Sequence, residues 1–171
     1  GGVYLRAEGG SFDSLRGLVS AGVAGDRVDA WGAASADTSD GDRDHAKRRS
    51  VRFHGNVGMK LTDMITTRLY ASYNHIDQEL PGALTYDEAL TTPRKANAGS
   101  VAGDQQRDIE SLRLQNRTSF DFGAAKLDLG VFVNAKTLYH PIYQLIDQKS
   151  VDRGGFFRLD YAGGPVEATF G

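Results

Sequence analysis

Cysteine is absent from all 171 residues, which excludes disulfides and thiolate metal sites. Long apolar runs are absent too. No stretch approaches the ~18 consecutive apolar residues of a membrane-spanning helix, so a helical membrane protein is excluded. Charge of one sign is not in excess: 20 Lys and Arg against 22 Asp and Glu give a net charge of −2. The basic face that nucleic acid requires is therefore missing, and nucleic acid is not an expected partner. Proline is scarce, at 4, while glycine is abundant, at 21, a balance that suits turn-rich β structure better than disorder. A 40% hydrophobic content with a negative mean hydropathy leaves one membrane class open. Barrel strands are apolar only at alternate residues, so their average looks water-soluble.

What the chain does have is alternation. In residues 51–61, Val51, Phe53, Gly55, Val57, Met59 and Leu61 share one face and Arg52, His54, Asn56, Gly58 and Lys60 the other. After Thr62 and Asp63 the pattern resumes with Ile65, Thr67, Leu69, Ala71 and Tyr73 against Thr66, Arg68, Tyr70, Ser72 and Asn74. A period of two places successive side chains on opposite sides of a pleated backbone, and two such runs about a short turn predict an antiparallel hairpin. Each arm is about 10 residues, the length of a tilted barrel strand. Similar runs begin at Val3, Leu15, Val28, Leu112, Leu127, Phe157 and Val166. The prediction is an all-β, up-and-down antiparallel meander of about nine long strands, part of a transmembrane barrel.

The connections carry the next inference. Tight turns are expected at Gly25-Asp26, Thr62-Asp63, Gly123 to Ala125 and Gly163-Gly164, and long polar loops at 37–49, 76–110 and 139–153. Short turns at one end and long loops at the other are the asymmetry of bacterial outer-membrane barrels, periplasmic and extracellular respectively. Within 76–110, Thr85 followed by Glu88 fits a capping box for a short helix. Arg6, Glu8, Arg52, Lys60, Arg68, Arg113, Arg117 and Asp121 fall on the face that would line a polar lumen. The alternatives are a stand-alone small barrel and a soluble β-sandwich used for binding, in which those residues form a solvated outer face. No initiator methionine or signal peptide is present, and a piece of a longer protein is expected.

Chemistry-bearing motifs are few. His45, His54, His75 and His140 show neither H-x₃-H nor H-E-x-x-H spacing, so no metal site is predicted. There is no G-x-S-x-G elbow and no phosphate-cradling glycine loop before a helix, so neither catalysis nor a cofactor is expected. Arg43, His45, Lys47, Arg48 and Arg49 form the densest cationic segment, interleaved with Asp40, Asp42 and Asp44. Such a loop could capture an anionic ligand, bridge lipopolysaccharide phosphates or simply be solvated. Tyr139-His140-Pro141-Ile142-Tyr143 reads either as a stacking platform or as part of an interfacial aromatic girdle. The candidate ligand-contacting residues are Arg43, His45, Arg48, His75, Tyr139 and His140.

GSFDSLRG at 10–17, SDGDRDH at 39–45, GNVGMKLTDMITTRLYASY at 55–73, QELPGALT at 78–85 and VAGDQQRDIESLRLQNRTSF at 101–120, in that order, resemble TonB-dependent outer-membrane receptors of the ferric siderophore or ferric-citrate branch. The resemblance covers essentially the whole chain and places it in the first part of the barrel domain. It implies a barrel of about 22 strands around a plug, in the outer membrane of a Gram-negative cell. It further implies uptake of a ferric siderophore or similar scarce nutrient, contact with lipid and lipopolysaccharide, and TonB coupling through a plug that this sequence lacks. The 171 residues alone would be transport-incompetent wall and loops.

Overall fold

The computed structural model describes residues 2–171. They form one nine-stranded sheet in strict sequence order, every neighbouring pair antiparallel. The strands are β1 (Gly2–Gly10), β2 (Ser14–Ala24), β3 (Val28–Ser39), β4 (Arg48–Lys60), β5 (Ile65–Glu79), β6 (Gln106–Asp121), β7 (Ala125–Pro141), β8 (Leu145–Gly163) and β9 (Val166–Phe170). Two short helices, α1 (Tyr86–Thr91) and α2 (Ala98–Ala102), lie between β5 and β6. The sheet is not closed, and no second layer packs on it among the described residues, which is not the architecture of a sandwich. Among the described residues no helix is long and apolar enough to cross a membrane, which says nothing about strands.

Register separates two faces. Asp29, Asp37, Arg52, Asn56, Arg68, Arg113, Arg117, Asp128 and Arg158 fall on a polar face. The apolar face carries Val19, Val51, Phe53, Val57, Leu69, Leu112, Leu129, Val131 and Phe157, all more than two-fifths exposed. Ala96, in a loop, is the only buried hydrophobic residue among those described.

The register is sheared. Val28, the first residue of β3, is level with Met59, Thr67, Thr118, Leu129 and Phe157. Yet the hairpins turn only beyond Lys60, Asp121 and Gly163, each further along than the last. The stagger is about one residue per strand. With ~3.3 Å rise per residue and ~4.8 Å between strands, it corresponds to a tilt of ~35°.

The apolar face follows the turns, not the level rows. Counting away from the turn end, β3 presents Val28, Ala30, Gly32, Ala34 and Ala36, then Thr38; β4 presents Met59, Val57, Gly55, Phe53 and Val51, then Arg49. β5 runs Ile65, Thr67, Leu69, Ala71 and Tyr73, then His75; β6 runs Phe120, Thr118, Asn116, Leu114 and Leu112, then Glu110. β7 reaches Ala135 before Thr137, and β8 runs from Tyr161 to Gly155 before Arg153. The three polar interruptions answer one another: Asn116 Nδ2 donates to Thr67 Oγ1 at 3.0 Å, and Thr67 and Thr118 hydroxyls lie 2.9 Å apart.

Strands grow from 9 residues in β1 to 19 in β8, and this corrects two loop boundaries. The 37–49 loop contracts to 40–47, leaving Arg48 and Arg49 on β4, and 76–110 contracts to 80–105. The expected 139–153 loop is not a loop. β7 continues through Pro141 and β8 begins at Leu145, so only 142–144 connect them. Proline is tolerated there because it ends the strand.

A lone sheet with an exposed apolar face and an unpaired β1 edge is a template for edge-to-edge and face-to-face association. The 171-residue chain expressed alone is expected to be insoluble without detergent. A monodisperse soluble monomer on size-exclusion chromatography would overturn this.

Candidate functional site

Four connections, 11–13, 40–47, 80–105 and 142–144, share one end of the sheet, and the first three interlock. Phe12 and Asp13 both have positive φ, 60° and 51°, in a turn closed by Ser14 N–H to Ser11 O at 3.3 Å. Such turns favour Asn-Gly, and a phenylalanine there is unusual. It is held by its neighbours: Asp40 N–H donates to Phe12 O at 2.9 Å, and the Arg94 guanidinium lies 5.6 Å from the ring centroid.

Arg43 ties the second loop to the third. Its Nη1 donates to Gly82 O at 2.8 Å, Nη2 to Lys95 O at 2.9 Å, and Nε to the same Lys95 oxygen at 3.2 Å. Asp44 N–H donates to Arg94 O at 2.8 Å. Gly41 makes the bend that aims Arg43. Its φ is +78°, and a Cβ there would lie 2.5 Å from Ala46 O, so glycine is required. His45 Nε2 is 3.0 Å from Gln105 O. The stem is sealed by Glu79 N–H to Lys47 O at 2.8 Å and by Lys47 N–H to the Glu79 carboxylate at 3.0 Å.

The 80–105 loop is structured. Thr85 and Glu88 form the expected capping box on α1, each side chain meeting the other's backbone N–H, at 3.3 and 3.1 Å. Lys95 Nζ also meets Glu88 at 2.7 Å. The lysine first, then the Thr85 N–H and the Thr85 hydroxyl, which donates to the same carboxylate at 3.0 Å, hold the Glu88 carboxyl down at about 2 from its ordinary 4.5. Asn97 caps α2 and donates from Nδ2 to Ala83 O at 3.0 Å. Ala96 and Ser100 are buried at its centre.

On the polar face, charges are matched in clusters. Asp37, nearly buried, accepts from Arg48 at 2.7 Å, Arg52 at 2.9 Å and the Ser50 hydroxyl. Arg68 bridges Asp29, at 2.7 Å, and Asn56; Gly58 leaves the space the guanidinium crosses. Asp128 accepts from Arg117 and Ser119, and Arg158 meets Asp160 at 2.8 Å. Carboxylates this shielded are tolerable because hydrogen-bonded cations answer them. Trp31, Tyr70 and Phe132 share one cross-strand row with Asn56 and Gln115. A cleft of about 520 Å³ at the loop end is lined by Glu8, Arg16, Asp37, Ser39, Arg48 and Gln78, among others.

The six residues singled out by sequence do not converge. Arg43 and His45 sit in loop 40–47 and are engaged with backbone carbonyls, and Arg48 lies on the polar face beside Asp37. His75 and Tyr139 fall on the opposite face, beyond the last apolar positions, where His75 Nε2 is 3.6 Å from Asp108. His140 returns to the polar face, its Nδ1 2.7 Å from Gln106 O. Sequence reading did not single out the Asp37 cluster or the carbonyl-binding role of Arg43. For the former, Asp, Ser and Arg at alternate positions of adjacent strands are a usable signal; for the latter there is none.

Replacing Arg43 with alanine is expected to remove about 1–3 kcal/mol of local stability. Amide exchange across 81–105 should then quicken by about five- to a hundred-fold while strand amides stay protected; unchanged exchange would show that the loops hold without it. A second expectation concerns pH. The folded Glu88 carboxyl titrates below its ordinary value, so its support of α1 is complete above about 4.5 and is lost as pH falls towards about 2. Protection of α1 amides, exchange being corrected for its intrinsic pH dependence, should fall through that window, and Glu88→Gln should flatten the dependence.

No family model matches the chain, and no curated protein matches it.

Proposed function

We propose that the chain is a section of the wall of a transmembrane β-barrel in a bacterial outer membrane. The observation that carries this reading is the constancy of the apolar stripe along a sheared sheet. Measured from each turn, β3 to β7 present about ten residues of apolar face and then a polar residue, while the starting point slips with the register. At ~3.3 Å per residue and ~35° tilt this is a band about 27 Å tall, close to the ~25 Å of outer-membrane barrels. Water gives no reason for an apolar stripe to stay level with the turns rather than with the hydrogen-bonded rows; a slab of lipid does.

The barrel is that of a TonB-dependent receptor importing a ferric siderophore or similar scarce nutrient. This narrower reading rests on the order of the resembling segments and on the confinement of the two long connections, 40–47 and 80–105, to one end of the sheet. The turn end would then be periplasmic and the interlocked loops extracellular, with lipopolysaccharide around the wall. This chain would contribute wall and the interlocked loops, with energy coupling left to TonB acting through a plug.

Val131 is 61% exposed at mid-band, and Thr137 lies just past it. In a bilayer Val131→Arg is expected to cost about 2–4 kcal/mol, and Thr137→Arg about 0–1. In a water-soluble sheet both would fall within about 0.5 kcal/mol. Urea unfolding of the protein with its natural ends, refolded in lipid vesicles, measures the difference, and equal small effects would defeat the membrane reading. Titrating the same preparation with ferric chelates then tests the receptor. A stable barrel that binds none would move the substrate away from iron.

A further inference from the structure

We propose that Arg113 and Lys136 form an oxyanion-binding point on the polar face, for a carboxylate or phosphate group carried by a small solute. The proposal rests on the reading of that face as a lumen wall. Seven polar-face arginines approach a carboxylate within 4.0 Å: Arg6 and Arg16 reach Glu8, Arg48 and Arg52 reach Asp37, and Arg68, Arg117 and Arg158 reach Asp29, Asp128 and Asp160. Two do not. Arg107 donates to the Gln78 amide oxygen at 2.6 Å. Among the described residues Arg113 donates only through Nε, to Asn134 Oδ1 at 3.0 Å.

That one bond leaves the Arg113 guanidinium oriented but its charge unanswered. With Nε fixed by Asn134, the two Nη groups present a parallel pair of N–H donors, the geometry that grips a carboxylate or phosphate at two points. Arg113 is exposed on β6 between Ser72 and Asn134. Lys136, also exposed, lies diagonally across on β7 opposite Ser111 and has no ion-pair partner among the described residues. Diagonal neighbours on a sheet sit about 7–8 Å apart, close enough for both cations to reach one multivalent anion. Tyr70 and Phe132 occupy the corresponding diagonal positions on the turn side, offering an apolar shoulder to the rest of the solute. The nearest polar-face carboxylate, Asp152, stands opposite Asn134, two strands from Arg113 and diagonal to Lys136, and makes no ion pair within 4.0 Å.

Position favours a solute as the occupant. Arg113 sits beside Leu112, the last apolar-face residue of β6 before Glu110, so the cations lie at the loop-side limit of the apolar band. The loop cation first suspected of anion capture, Arg43, is already committed to carbonyls. A solute passing the interlocked loops would meet Arg107, held by the Gln78 amide, and next below it Arg113, the one flanked by a second unpaired cation in Lys136.

The test uses the protein with its natural ends, refolded in detergent, with citrate and inorganic phosphate as probes in calorimetric titration. Wild type should bind at least one, more weakly as salt rises. Arg113→Gln should weaken binding about ten- to hundred-fold, Lys136→Gln should weaken it less, and Arg113→Lys should recover part of the loss. Arg158→Gln, which removes a neutralised cation, should leave the affinity unchanged. Binding of citrate alone identifies a carboxylate solute, and binding of phosphate alone a phosphorylated one. If wild type binds neither probe, or Arg113→Gln binds as wild type does, the proposal is overturned and the arginine is left to hold another segment of the protein. Heat-modifiable migration on electrophoresis keeps the two readings apart. A normal barrel with unaltered Arg113→Gln affinity defeats the oxyanion point alone, whereas absence of a barrel in wild type defeats the lumen wall beneath it.

Discussion

With a single loop alanine as the buried hydrophobic residue among those described, this sheet is held by the ladder of main-chain hydrogen bonds between successive strands and not by a core. Each strand from β2 to β7 pairs with its predecessor and its successor, so interior N–H and C=O groups are satisfied without reference to any second layer. That condition makes a sheet fit for lipid, where an unpaired backbone group costs several kcal/mol and no water can answer it. It also makes the sheet unfit for water alone, because the apolar face has nothing else to bury against.

Side chains elaborate the ladder differently on its two faces. The apolar face is shaped by a level boundary. The polar face is shaped by local neutrality, with most of its arginines given a carboxylate on the same strand or on one nearby. Pairs such as Arg117 with Asp128 and Arg68 with Asp29 stitch strands across one another, and they add direction that the backbone ladder lacks. Against that background an arginine with only an amide for company is conspicuous for what it lacks.

Strand existence and order were legible because, within the apolar band, hydrophobic and polar side chains alternate sharply. The Thr85 and Glu88 capping box was legible because its two residues are local in sequence. Past the band the contrast fades. On β7, Thr137 and Tyr139 on one face answer Lys136, Leu138 and His140 on the other, and no period of two can be heard in that. The chain there looks like a loop, although it remains hydrogen-bonded strand. The site residues were harder still. Arg43, His45 and His140 meet backbone carbonyls, partners every residue possesses and no sequence advertises. For His75 and Tyr139, the parity of their positions already set them on the face of Leu69 and Val131 and away from the other four.

The strictly sequential strand order bears on how such a wall could assemble. Every strand contact is with the next strand along, so sequence separations stay short and hairpins can be added one at a time, as in other low-contact-order topologies. The costly exception is the 80–105 excursion, whose ends must meet before β6 can dock on β5. Closure entropy rises only logarithmically with loop length, and the two capped helical turns and Arg43 shorten the effective loop further. Assembly should therefore slow at that strand pair, and the growing edge should wait longest at β5.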